Sequence, residues 1–192
     1  MTGVQTCALP ICDIEGLFII EPQVFGDSRG YFIETYHKDQ FSEAGIDVEF
    51  VQDNQSSSRG GVLRGLHFQK EFPQDKLVRV LNGQVFDVAV DLRKNSPTFG
   101  KWQSVVLSEE NHKQFFVPKG FAHGFYVMSD YAVFAYKCSD FYHPDDEGGI
   151  AWNDPLLGID WPLINGEAPI LSDKDSCRKG LREYADERGI KI

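Results

Sequence analysis

Lys76-Leu77-Val78-Arg79-Val80-Leu81, then Asn82-Gly83, then Gln84-Val85-Phe86-Asp87-Val88 is the stretch on which the fold turns. On either side of Asn82-Gly83 apolar residues return at alternate positions, the period of a strand with one face turned inward. Asn-Gly suits the positive-φ positions of a type I′ turn, whose twist matches the strands it joins. The pattern predicts a tight antiparallel hairpin here, and an antiparallel sheet around it.

Working outward, the same grammar recurs. Runs of aromatic and β-branched residues bounded by Gly, Pro, Asn and Asp predict further strands. They cover Leu17 to Pro22, Tyr31 to Tyr36, Phe50 to Gln55, Val62 to Phe68, Trp102 to Leu107, Gln114 to Val117, Gly124 to Met128 and Ala132 to Cys138. Helix signals are few: Asp39 to Ala44 closed by Gly45, and a tail from Ser172 to Tyr184 with Ser172 as N-cap. Neither resembles a crossover helix between parallel strands, which argues against a doubly wound sheet. About ten short strands in one domain point to a jelly roll or a related β-sandwich.

The 192 residues are 42% hydrophobic, enough for one domain with a sizeable core. A formal charge of -10 and a pI of about 4.9 argue against a nucleic-acid partner, because such binders carry a basic stripe. No run approaches the roughly 18 apolar residues of a membrane span, and no basic region leads into an apolar one as in a signal peptide. A soluble cytoplasmic protein with no membrane partner is expected. Cys7, Cys12, Cys138 and Cys177 lack CxxC spacing and read as free thiols. Met1 to Ile11 (MTGVQTCALPI) match the in-frame translation of a common sequencing-library adapter. Residues 1–11 are therefore expected to be non-native and 12–192 to form the single domain, with an ordinary amino-terminal strand as the competing reading.

Two runs carry the candidate chemistry: Arg64-Gly65-Leu66-His67-Phe68-Gln69 and Pro118-Lys119-Gly120-Phe121-Ala122-His123-Gly124. His67 belongs to the strand face opposite Leu66 and Phe68, with Gln69 beside it. Strict alternation turns Arg64 away from that face, unless Gly65 forms a bulge that re-aims it. His67 then reads either as a proton-transfer group in a cavity or as a satisfied core histidine. Lys76 shares a face with Val78 and Val80; it either snorkels from a strand end or stands as a fixed cation beside a base, able to hold an enolate oxygen.

His123 follows the turn residues Pro118 and Gly120, and reads as a turn histidine or as a site residue. Metal sites on such strands want several convergent His and carboxylate ligands. Gln69 stands where the second histidine of an HxH pair would, and no acidic residue follows four positions later, so no metal is expected. Tyr136 lies on the face of Phe134 and Cys138, where it reads as a core aromatic. Asp175 reads as a solvated charge, or as the carboxylate that orients an imidazole and makes its other nitrogen a better base.

Several motifs occur together in order: GDSRGYFIETY, QDNQSSS, VLRGLHFQ, DKLVRVLNGQVFDVAVDLRKNSPTFGKW, VPKGFAHGF, the stretch around AYKCSDFYHPDDEGGI, DPLLGIDWP and ILSDKDS. On these, from Ile14 to about Tyr184, the chain resembles the dTDP-4-dehydrorhamnose 3,5-epimerases, sugar-nucleotide enzymes of dTDP-L-rhamnose synthesis. The resemblance implies an all-β cupin-type jelly roll, a double-stranded β-helix or antiparallel β-sandwich with short helices at its periphery and C-terminus. It implies His67 as general base paired with Asp175, Tyr136 as general acid on the opposite face of the sugar, and Lys76 as the residue that steadies the enolate. Arg29, Glu34, Gln52, Asn54, Arg64, His123, Glu147 and Lys174 match substrate-contact positions, and Tyr142 the ring that stacks on thymine.

The resemblance also implies a substrate, dTDP-4-dehydro-6-deoxy-D-glucose, a reaction without a cofactor, and a homodimer in which Arg29 and Glu34 serve the neighbouring subunit. A single-site epimerase or ketoisomerase on a related sugar nucleotide is the near alternative. A metal-dependent cupin oxygenase and a non-catalytic sugar-binding cupin are the alternatives from other classes.

Overall fold

The computed structural model describes residues 14–192 and the backbone of 7–9. In chain order the elements begin with β1 (Cys7–Leu9), β2 (Phe18–Glu21), β3 (Val24–Asp27), β4 (Gly30–Ile33), α1 (Lys38–Glu43), β5 (Gln52–Arg59) and β6 (Leu63–Gln69). They continue with β7 (Lys76–Asn82), β8 (Gln84–Asp91), β9 (Trp102–Ser108), β10 (Gln114–Val117), β11 (Phe121–Val127) and β12 (Tyr131–Cys138). The chain ends with β13 (Glu147–Gly149), α2 (Asp173–Ser176) and α3 (Leu181–Glu187). One sheet has the order β1-β2-β10-β7-β12-β5 and the other β13-β6-β11-β8-β9, while β3 and β4 form a separate two-stranded arm. This is the expected all-β sandwich of jelly-roll type.

The hairpin predicted at Asn82-Gly83 does not form. Strands β7 and β8 lie in different sheets: β7 pairs with β10 and β12, and β8 with β11 and β9. Gly83 alone of the two takes a positive φ, 78°, so the turn is not type I′. The reason is tertiary. Gly83 sits so close to the turn after β11 that an added Cβ would lie 2.1 Å from the Tyr131 carbonyl oxygen, and Gln84 N–H donates to Ser129 Oγ at 2.8 Å. The Asn-Gly signal marks a corner at which the chain changes sheets, a device by which sandwiches close.

Alternation then sorts each strand. Val78, Val80, Phe115, Val117 and Phe134 from one sheet meet Val85, Ala89, Leu107, Phe121, Phe125 and Val127 from the other in the central core. Outward-facing Leu77 and Phe116 pack with Ile20, Phe41 and Ile46, so α1 and the loop after it cover one sheet. Leu63, Leu66, Val88, Val90 and Tyr126 are covered by Leu157, Trp161, Leu181 and Tyr184 from the C-terminal region. Fully burying one such side chain contributes roughly 1.5–3 kcal/mol, so both sheets are held between apolar layers, except at the β5 edge, whose Asp53, Gln55, Ser57 and Arg59 face outward and are exposed.

Other boundaries also move. Strand β11 starts at Phe121, directly after Gly120 (φ 90°) completes its turn, so His123 lies inside a strand rather than at the turn. The predicted tail is two helices separated by residues 177–180, where Lys179 bridges to Ile150. Ser172 does cap the first, its side chain accepting from Asp175 N–H at 3.2 Å. Cys138 and Cys177 are free thiols. The readings placed on residues 1–6 and 10–13, and on the Cys7 side chain, lie outside the described residues. Strand β1 pairs antiparallel with β2, as extended backbone can at a sheet edge, whatever its origin.

Candidate active site

The polar site occupies the inner faces of both sheets at one end of the sandwich. From the five-stranded sheet come Arg64, His67 and Gln69 on β6, His123 on β11 and Asp87 on β8. The six-stranded sheet contributes Lys76 on β7, Tyr136 on β12, and Gln52, Asn54 and Ser56 on β5. An outer cavity of about 260 Å³ and an inner one of about 170 Å³ share His67, Lys76 and Tyr136. Gln52, Asn54, Tyr142 and Glu147 line the outer one; Arg64, His123, Phe125 and Phe134 line the inner.

A bulge brings Arg64 to the side of His67. On β11, His123 pairs with His67 and Phe125 with Arg64, so two residues of advance on one strand match three on the other. Gly65 takes the strain at φ 141°, and an added Cβ there would stand 2.5 Å from Gly124 Cα. The two glycines let the backbones touch, and the extra residue puts arginine and imidazole on one face. Arg64 Nε donates to Ser58 Oγ at 2.9 Å, which aims the guanidinium.

His67 Nε2 lies 2.5 Å from Asp175 Oδ1. With Nε2–H donating to that carboxylate, Nδ1 carries the lone pair. Burial alone would raise the Asp175 carboxyl, but the hydrogen bond and charge of His67, the Ser172 hydroxyl and the nearby Arg178 hold it below the ordinary range. Arg178 donates to Glu147 and stands 3.5 Å from Asp175, tying the two acids together. Glu147 in turn accepts from the Tyr142 hydroxyl at 2.9 Å, and Tyr142 N–H donates to Gln52 Oε1 at 3.1 Å. Gln52 Nε2 donates to Asn54 Oδ1 at 2.9 Å. Burial pushes the Lys76 ammonium below the usual lysine value, against the opposing pull of Cys138, Asp87 and Glu147. Burial likewise raises the Tyr136 phenol, which keeps it a proton donor at neutral pH.

His123 is bonded through Nε2 to Asp87 Oδ1 at 2.8 Å, both groups buried. Asp87 was not singled out from the sequence, although a lone carboxylate on the inward face between Val85 and Ala89 is a readable signal. Arg178 was also missed; its cue is the i, i+3 spacing from Asp175. Three expected site residues stand apart from the cavity. Arg29, at the turn of the β3–β4 arm, is exposed and ion-paired with Asp27. Glu34 accepts from Gln40 Nε2 at 3.2 Å, and Lys174 is exposed at the rim, 3.9 Å from Glu147.

The sequence profile described as dTDP-4-dehydrorhamnose 3,5-epimerase matches residues 11–183. The enzyme of that name from Methanothermobacter thermautotrophicus is 57% identical over 170 residues, 88% of this chain and 92% of its own. Its Pseudomonas aeruginosa counterpart is 56% identical over 174 residues, covering 90% and 93%. A solved structure similar to this one is the dTDP-6-deoxy-D-glucose-3,5-epimerase of Legionella pneumophila Philadelphia 1, in complex with dTDP-4-keto-L-rhamnose. It has a TM-score of 0.90 and 54% identity, and covers 95% of this chain and 96% of that one. With this agreement in sequence and in fold, the chain belongs to the dTDP-4-dehydrorhamnose 3,5-epimerase family.

Proposed function

We propose that this protein inverts carbons three and five of dTDP-4-dehydro-6-deoxy-D-glucose to give dTDP-4-dehydro-L-rhamnose, with His67 as base and Tyr136 as acid. One observation carries the reading: the imidazole and the phenol line the same cavity from opposite sheets. A proton removed from one face of a sugar ring and replaced from the other is an inversion. The 4-keto group makes the hydrogens on both neighbouring carbons acidic, so the substrate itself supplies the electron sink and no cofactor is required.

In each round the ring C–H bond breaks, the proton goes to His67 Nδ1, and the electron pair forms an enolate with the ketone. Asp175 stabilises the imidazolium. Lys76, on the Tyr136 wall, holds the enolate oxygen; a preorganised group of this kind contributes about 3–4 kcal/mol. Tyr136 then delivers its O–H proton to carbon from the far face; solvent reprotonates the phenolate and takes the proton from the His67 imidazolium, which resets both groups for the second round. Each proton-transfer partner contributes about 10² to 10⁴-fold.

Arg64 suits the pyrophosphate, because a guanidinium fork matches phosphate oxygens. Tyr142 offers its ring to thymine, and Gln52, Asn54, His123, Glu147 and Lys174 serve as further contacts. Arg29 and Glu34 act on the cavity of a second subunit in a homodimer. That reading is supported by the β3–β4 arm, where Phe25, Tyr31 and Phe32 are exposed. The enzyme works in the cytoplasm without membrane or nucleic acid, and residues 1–11 are a non-native segment beside the single domain at 12–192.

Incubation with the dTDP sugar in deuterated water tests the reaction. Deuterium at both ring carbons is expected. Incorporation at one carbon alone replaces the double epimerase with a single-site enzyme, and none at all leaves a sugar-binding protein.

A further inference from the structure

A second cavity of about 450 Å³ lies where the end of β6, the exit of β8, the turn between β10 and β11, and α3 meet. Its charge is opposite to that of the chain. Lys70, Arg93, Lys94, Lys119 and Arg188 line it and, among the described residues, no carboxylate does, in a protein of net charge -10. Arg93 is committed to Asp91 by bonds of 2.9 and 2.7 Å, and Lys94 Nζ donates to the Arg188 carbonyl at 2.9 Å. Among the described residues, the Lys70 and Lys119 ammonium groups have no hydrogen-bonding or ionic partner. The Arg188 guanidinium lies 5.0 Å over the Tyr184 ring, again with no carboxylate.

The backbone is shaped around this cluster. An added Cβ on Gly120 would stand 2.7 Å from Arg93 Cγ, so the glycine lets that side chain lie across the turn. Beneath the cations Leu92 and Tyr184 are buried, and Phe68 meets Tyr184 edge-on at 5.3 Å. Like charges gathered in a concavity raise the local potential for anions well above that of a flat surface.

We propose that this cavity is a second anion site that takes a di- or triphosphate chain. The Lys70 and Lys119 ammonium groups and the Arg188 guanidinium, which line one cavity without a carboxylate partner among the described residues, match several phosphate oxygens at once. The volume falls in the range of small-molecule sites, roughly 300–1,000 Å³. The apolar floor gives a nucleoside a surface to rest on, so the phosphate chain belongs either to a nucleotide or to inorganic polyphosphate. Phe68 and Gln69 line both this cavity and the catalytic one, so the bound anion touches the strand that carries His67.

Calorimetric titration of the full chain with ATP and, separately, with inorganic tripolyphosphate tests the proposal, in each case with dTDP present in excess. One site per chain is expected, weakened about tenfold or more in Lys119→Ala/Arg188→Ala and unchanged in Arg64→Ala. The double variant should keep the parental turnover and melting temperature. If it does not fold, Lys119→Glu alone reads the same loss. Tighter binding of ATP assigns the site to nucleotides, and equal binding assigns it to the phosphate chain; either supports the proposal. No binding of either anion at millimolar concentration overturns it, as does binding that both pocket variants leave intact. Loss of binding in Arg64→Ala overturns it too, by placing the anion in the catalytic cavity.

Discussion

His67 and His123 stand directly opposite one another on neighbouring strands, and each is bonded to a carboxylate, yet the two pairs are built differently. The His67 side chain is 30% exposed and its partner comes from α2, far along the chain, where Ser172 and Arg178 also stabilise the anion. His123 is 9% exposed and its partner comes from the adjoining strand, with Asp87 Oδ2 buried and, among the described residues, unpartnered. Burial dominates at Asp87 and raises its carboxyl, with His123 and Lys76 opposing; at Asp175 the partners outweigh burial and lower it. The same two residue types therefore make an open pair with a free nitrogen for a substrate and a closed pair suited to holding a wall in place.

The largest difference should appear when the rings are replaced in turn. His67→Asn is expected to lower kcat by about 10² to 10⁴-fold and to abolish deuterium uptake at both carbons, while His123→Asn acts mainly on KM. Equal losses of kcat from the two variants would erase the distinction. Tyr136→Phe should come next, and with a different signature. His67 can still remove and return a proton on its own face, so solvent exchange persists while inversion is lost. A variant that loses exchange and inversion in equal measure would show that the phenol does more than donate from the far side.

The carboxylates sharpen the same comparison at smaller amplitude. Asp175→Asn should lower kcat by about 10²-fold, the lower end for a proton-transfer partner, because the ring loses its orienting acceptor. Asp87→Asn should stay within about tenfold of the parent, read chiefly in KM. Steady-state kinetics decide it, and a larger loss in Asp87→Asn than in Asp175→Asn would reverse the assignment of the two pairs.

Much of this was legible in the residues. Most of the strands and the inward faces of β7 and β12 follow from alternation, although β3 and β13 do not, and Gly65 beside an arginine on the wrong face left a bulge as one of two readings, the one observed. The hairpin expected at Asn82-Gly83 fails because turn chemistry reports a change of direction without reporting which strands pair; Ser129 and Tyr131, far along the chain, decide that. The motif order identified Asp175 as the partner of His67, but geometry alone could not, since 108 positions separate them. Asp87 is legible only as an acid on an inward face; that its strand lies between two others and brings it to His123 is tertiary information.

The last test separates the pairs without substrate. Asp175 has a folded-state pKa below its unfolded value of about 3.9, so its contribution to stability is present above that value and fades as pH falls through the folded one. Asp87 is raised, so its contribution is present below about 3.9 and fades as pH rises through the folded value. Melting temperatures between neutral and acid pH should thus diverge in opposite senses. The gap between the parent and Asp175→Asn narrows on acidification, whereas relative to Asp87→Asn the parent gains. Gaps that move together would mean that burial and partners balance alike at both sites, and that the open and closed pairs differ in access to solvent but not in charge.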